Sequence, residues 1–253
     1  RRAPRGGQPP DQHAQQSTGA VYPRAVLAEI AQACREEGLW LISDEVYDGQ
    51  VWDGAHLSPR ALPGLADATM VVGSMSKTYA MTGSRLGWLV APARVISALS
   101  DLATHTNYGV PGFIQEAALW ALTEGGPDLE ARVAAPFRRR RVLARQILGA
   151  SPALRLLPMQ GGMYGFVDIR ATGMTGTAFA EALLAEERIG VMPGESFGQA
   201  AAGHLRIALT AEDGALADAL ERLVRFAEAR LPTGAGRADP SAADAAALGT
   251  HDG

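Results

Sequence analysis

The chain has 253 residues, of which 47% are apolar and 20% charged, the balance of an ordinary globular protein with enough apolar material for a substantial core. The net charge of −4 disfavours a general nucleic-acid or anionic-membrane surface. No apolar run approaches the length of a bilayer span. The N-terminus lacks a signal-peptide core, and the single Cys34 fits a reducing cytoplasm.

Residues 1–19 are rich in Arg, Pro, Gln and Gly without periodicity, and are expected to be disordered. From Ala20 the texture becomes that of a folded α/β chain. Pro23 opens a helix whose inner face carries Val26, Leu27, Ile30, Ala31 and Cys34, and Gly38 ends it. Residues 39–43, 70–73 and 88–90 read as buried strands. Alternation with helices predicts a sheet covered on both faces. Residues 113–123 and 128–148 are predicted helices, the second long enough to link two lobes.

After Ser151 come short strands (154–157, 163–169, 190–192, 204–209) and helices (177–187, 213–229), forming a smaller α+β lobe. The expected division is 20–135 for the larger part and 136–231 for the smaller. A disordered tail is expected over 232–253.

Ser74, Ser76 and Lys77 end the apolar strand at 70–73, and a small-residue turn returns the chain to Arg85. Lysine forms imines with carbonyls, while hydroxyls and a guanidinium suit a phosphate dianion. The combination points to pyridoxal phosphate (PLP), against the alternative of a surface lysine in a polar loop. Asp44 ends the first strand, where α/β sheets place their ligands, and Tyr47 follows three residues on. Asp44 then either pairs with a pyridine nitrogen or caps a helix; beside the lysine segment the first reading is the better one.

The segments LISDEVY, SMSK with Arg85, and HLRIAL together resemble the class I/II aminotransferases of the aspartate aminotransferase fold, over roughly residues 18–230. The resemblance implies an α/β chain of PLP fold-type I, comprising the later part of the large-domain sheet and a small C-terminal α+β domain. It further implies amino-group transfer from an amino acid to a 2-oxo acid, within a homodimer. Lys77 would be the Schiff-base lysine and proton carrier, Asp44 the pyridine-nitrogen partner and Tyr47 the ring-oxygen donor. Ser74, Ser76 and Arg85 would hold the phosphate, and Arg206 the substrate α-carboxylate. The finer texture resembles arginine–pyruvate transaminases.

The family's fold begins far upstream, so the resemblance also implies a truncated N-terminus. In place of the family's Asn-Pro-Thr-Gly turn stand Gln16, Ser17, Thr18 and Gly19. Codons that permit His-Asn-Ser-Pro one base out of frame motivate the expectation that residues 1–17 are a frame-shifted remnant. A related PLP lyase or decarboxylase, or an inactive aminotransferase-like remnant, are the other readings.

Three further motifs are read as decoys. Gly194-Glu195-Ser196-Phe197-Gly198 matches a nucleophile elbow but has no room for the helix that must follow the serine. The glycines of Gly161-Gly162-Met163-Tyr164-Gly165 are expected to let the backbone pass close to a substrate. Arg138–Arg141 is expected to be a solvated basic face. The five histidines show no metal-ligand spacing, and no metal is expected.

Overall fold

The computed structural model describes residues 18–232. The expected disorder and frame shift of residues 1–17, and almost all of the expected tail, lie outside the described residues.

Helix α1 (Arg24–Glu36) buries Leu27, Ala31 and Cys34 of the inner stripe expected from 3.6-residue spacing and leaves Val26 and Ile30 half-buried. Gly38 adopts φ +63°, and Leu39 N–H donates to the Cys34 carbonyl at 2.8 Å. A left-handed glycine with this hydrogen bond is the usual helix stop. Strand β1 (Leu41–Asp44) pairs in parallel with β2 (Thr69–Ser74), which pairs antiparallel with β3 (Gly87–Val90). Between β1 and β2 lies a long loop with only a 3₁₀ turn (Pro59–Ala61).

The expectation of a sheet covered on both faces is not met within the described residues. Ile42 is 41%, Trp88 37% and Val90 44% exposed. Helix α2 (Met75–Thr78) is short. Helix α3 (Ala93–Thr106) buries no residue, although its apolar spacing is that of a packed helix. Helix α4 (Gly112–Leu122) leaves Trp120 and Leu122 half exposed. The apolar runs are legible in the sequence; among the described residues these side chains stay partly exposed.

Helix α5 (Gly126–Leu148) runs unbroken through residue 136, where the sequence suggested a boundary, and packs against α4 and α2 early in its length. Its later turns pack on α7 (Asp213–Glu228). The second sheet is fully antiparallel in the order β4 (Arg155–Leu156), β5 (Tyr164–Asp168), β7 (His204–Ala208), β6 (Met192–Pro193). Val167, Leu205 and Ile207 enter the largest core together with Phe179 and Leu183 of α6 (Gly176–Glu187) and with Leu220 and Leu223 of α7. Phe179 and Phe226 meet edge to face at 5.0 Å. Because strand side chains alternate, the opposite face of β5 and β7 carries Tyr164, Phe166 and Arg206.

The arginine run is a solvated face only at Arg138 and Arg139. Arg140 is buried, donating to Asp213 at 2.7 Å and to the Leu209 carbonyl at 3.3 Å. Arg141 donates to the Met159 carbonyl and pairs with Asp53, while Arg138 lies 4.8 Å from the Trp52 ring centroid. Successive arginines point around the helix, so the run divides: Arg139 and Arg140 share Asp213 of α7, while Arg138 and Arg141 turn to the loop after β1 and Arg141 also to the 157–161 loop.

Candidate active site

Parallel pairing of β1 and β2 brings their C-terminal ends side by side, with Asp44 in register with Val72. Ser74 ends β2, and its hydroxyl accepts from Ser76 N–H at 3.0 Å, capping α2 and turning Lys77 out of the sheet. Gln50 donates to the Lys77 carbonyl at 3.1 Å and fixes that turn. Met75 N–H donates to the Leu86 carbonyl, so the chain returns beside the two serines. Arg85 sits there, exposed and left-handed (φ +54°), its guanidinium donating to the Thr82 carbonyl. Asp44 is not a helix cap. Its carboxylate accepts from Val46 N–H at 3.2 Å and closes a turn.

Tyr47 lies beneath the lysine, with Lys77 Nζ 5.9 Å from its ring centroid. Burial pushes the Tyr47 phenol far above its ordinary value. Tyr164 adds to that rise and Arg206 opposes it. Tyr47 is therefore a neutral O–H donor at any ordinary pH. Its ring meets that of Tyr164 at 6.5 Å, edge on, and the Arg206 guanidinium lies 4.2 Å from the Tyr164 centroid. The Arg206 guanidinium makes no hydrogen bond or ion pair with other described residues. The Lys77 amine likewise makes none.

The loop after β1 and the segment before β5 meet at a backbone seam that sets this geometry. Gln160 and Gly161 N–H donate to the Gly19 carbonyl at 2.8 and 2.9 Å, and Gly162 N–H to the Gln50 carbonyl at 2.8 Å. Trp52 Nε1 donates to the Gly162 carbonyl at 2.8 Å. Gly19 holds φ +71° with the Gly161 carbonyl 2.9 Å from where a Cβ would stand, so no other residue fits. The glycines at 161 and 162 thus pass close to the loop after β1, bringing the two sheets together so that Tyr164 reaches Tyr47.

Lys77, Asp44, Tyr47, Ser74, Ser76 and Arg85 therefore gather at one end of the first sheet, and Arg206 joins them through Tyr164. Three features escaped the sequence reading. Glu45 accepts from Ser58 Oγ at 2.7 Å and pairs with His56 Nε2 at 2.8 Å; a partner eleven residues away across an aperiodic loop leaves no sequence signal. Phe197, in the rejected elbow motif, lies 4.6 Å from the Arg206 guanidinium. The third was countable: of 23 cationic Lys and Arg residues, 22 are arginine, and Lys77 is the only lysine. The elbow itself forms two short 3₁₀ turns (Gly194–Phe197, Gln199–Ala201), which is no nucleophile geometry.

The family profile described as aminotransferase class I and II matches residues 14–223. The chain belongs to that family. It is 47% identical over 206 residues to an arginine–pyruvate transaminase of Pseudomonas aeruginosa, covering 81% of this chain and 52% of the relative. An aspartate aminotransferase of Streptomyces avermitilis is 33% identical over 220 residues, covering 83% and 53%. Among solved structures, an aromatic aminotransferase from Pyrococcus horikoshii superposes with a TM-score of 0.81 at 35% identity, covering 86% of this chain and 59% of that one. An aspartate aminotransferase from Thermus thermophilus with maleate gives 0.78 at 32% identity, covering 84% and 55%. The fold is that of the aspartate aminotransferases, and the chain spans about half the length of the curated relatives it matches.

Proposed function

We propose that this chain carries the lysine-bearing part of a PLP-dependent transaminase site, moving an amino group from an amino acid to a 2-oxo acid. The observation that supports this most is the continuous contact from Lys77 through Tyr47 and Tyr164 to Arg206. It sets one amine and one carboxylate-binding fork on the two sides of a tyrosine pair.

The donor set fits PLP. The Lys77 amine is uncommitted and is the only one on any side chain. Asp44 supplies a carboxylate at a strand end, Tyr47 a neutral phenol, and Ser74, Ser76 and Arg85 the hydroxyls and cation that suit a phosphate. When bound, PLP supplies the electron sink that makes an amino acid's α-proton removable. The Lys77 amine would take that proton from the α-carbon and return it on the cofactor's side. Asp44 would hold the pyridine nitrogen protonated, and Tyr47 would donate to the ring oxygen. Arg206 would grip the α-carboxylate with two parallel N–H bonds, leaving the α-carbon facing the lysine.

Arginine as donor and pyruvate as acceptor are the first pair to test, given the Pseudomonas aeruginosa relative. The active unit is a homodimer in the cytoplasm. A division into lobes near residue 136, inside α5, belongs to the same proposal. Among the described residues no helix is long and apolar enough to cross a membrane. The test is transfer of ¹⁵N from a panel of labelled amino acids, arginine included, to pyruvate in the presence of PLP. Labelled alanine supports the reading. Release of ammonia or carbon dioxide without alanine supports a lyase or decarboxylase instead, and no product marks a chain that has lost the activity of its family.

A further inference from the structure

The Arg206 guanidinium lies 4.2 Å from the Tyr164 ring centroid and 4.6 Å from that of Phe197. Phe197 is backed by the Phe166 ring, and Tyr164 is met edge on by Tyr47. Tyr164 precedes Phe166 by two residues on β5 and so shares its face, and Phe166 stands opposite Arg206 in the β5–β7 register. Phe166 is 2% exposed and meets the Phe197 ring at 6.0 Å and the His204 ring at 5.6 Å.

Phe197 sits on a loop rather than a strand, and that loop is tied down by Glu195. One carboxylate oxygen accepts from Gly176 N–H at 2.8 Å and Gly203 N–H at 3.1 Å. Burial pushes the Glu195 carboxyl up, but these backbone donors outweigh it and hold the group below the ordinary carboxylate range. Gly194 has the Ala201 carbonyl only 1.9 Å from where its Cβ would be, so the loop closes on itself only with glycine there.

An aromatic ring attracts a guanidinium to its face and leaves the in-plane N–H edges free. The Arg206 guanidinium lies over both rings, and no carboxylate among the described residues pairs with it. We propose that Tyr164 and Phe197 are positioning residues that hold the Arg206 fork edge-outward for a planar carboxylate, with Glu195 fixing Phe197 in place. This rests on reading Arg206 as the carboxylate-binding group. It assigns the GESFG segment the role of backing that group.

The test is pyruvate binding to the full chain by NMR titration, with chloride as a spherical competitor. Phe197→Leu should weaken pyruvate about fivefold with chloride little changed, the loss expected of one ring–cation contact. Phe197→Tyr should restore native affinity. Arg206→Lys, which keeps the charge but not the fork, should weaken pyruvate more than tenfold. Loss in Arg206→Lys with native pyruvate binding in Phe197→Leu overturns the proposal and leaves the reading of Arg206 standing. Native binding in Arg206→Lys overturns both. Should Phe197→Leu melt early, Tyr164→Leu is scored in the same way, with the pyruvate-to-chloride ratio deciding.

Discussion

His56 Nε2 lies 2.8 Å from Glu45 Oε2, and Ser58 holds the other carboxylate oxygen, so the residue after Asp44 is clamped by the loop that follows. The hydrogen bond to Glu45 raises the His56 pKa although burial opposes it. Burial pushes Glu45 up, but the bonds from His56 and Ser58 outweigh it and the net shift is downward. A raised histidine contributes stability fully below its unfolded value, about 6.5, and loses it as pH rises through the folded value. A lowered carboxylate contributes above its unfolded value, about 4.3, and loses it as pH falls through the folded one. The pair is therefore worth most between those values. We expect His56→Ala to lower the melting temperature more at pH 6 than at pH 9, by the equivalent of about 1 kcal/mol at the lower pH. Equal losses at both pH values would show that His56 acts by packing alone.

Arg139 and Arg140 separate the two meanings of a basic run. Arg139 is 60% exposed on its side chain, whereas Arg140 is 9% exposed and bonded to the Leu209 carbonyl. Arg140→Ala should cost about 2 kcal/mol more than Arg139→Ala in urea unfolding, from lost packing and an orphaned buried carbonyl. Similar costs would return the run to a solvated face.

Arg206 stands on a sheet whose other face is the core, so the site inherits the core's rigidity. Phe179 is fully buried against Phe226 in that core. Phe179→Ala should destabilise the chain by about 3–5 kcal/mol, measured by denaturant titration. A loss under about 1 kcal/mol would mean that the core relaxes around the gap.

Sequence reasoning reached what is local or periodic. The buried stripe Leu27, Ala31 and Cys34 follows from helical spacing, and Lys77, Asp44 and Tyr47 sit where strand ends put them. It failed where the answer depends on a partner distant in the chain. Ile42 and Trp88 have the apolar character of core residues yet are exposed, because periodicity says that a face is apolar and not what covers it. His56, Phe197 and Arg140 take their roles from contacts with other elements. The role of Gly19 follows from the 160–162 loop, more than a hundred residues later.

Lys77 is the proposed amine for the cofactor, and a lysine count of one makes its role directly measurable. The protein is incubated with PLP, reduced with borohydride, digested and mapped by mass spectrometry, with Lys77→Arg as control. A pyridoxyl mass is expected on the peptide containing Lys77 and is expected to be absent from the variant. A folded protein that carries no such mass, or carries it only on the N-terminal amine, would contradict it.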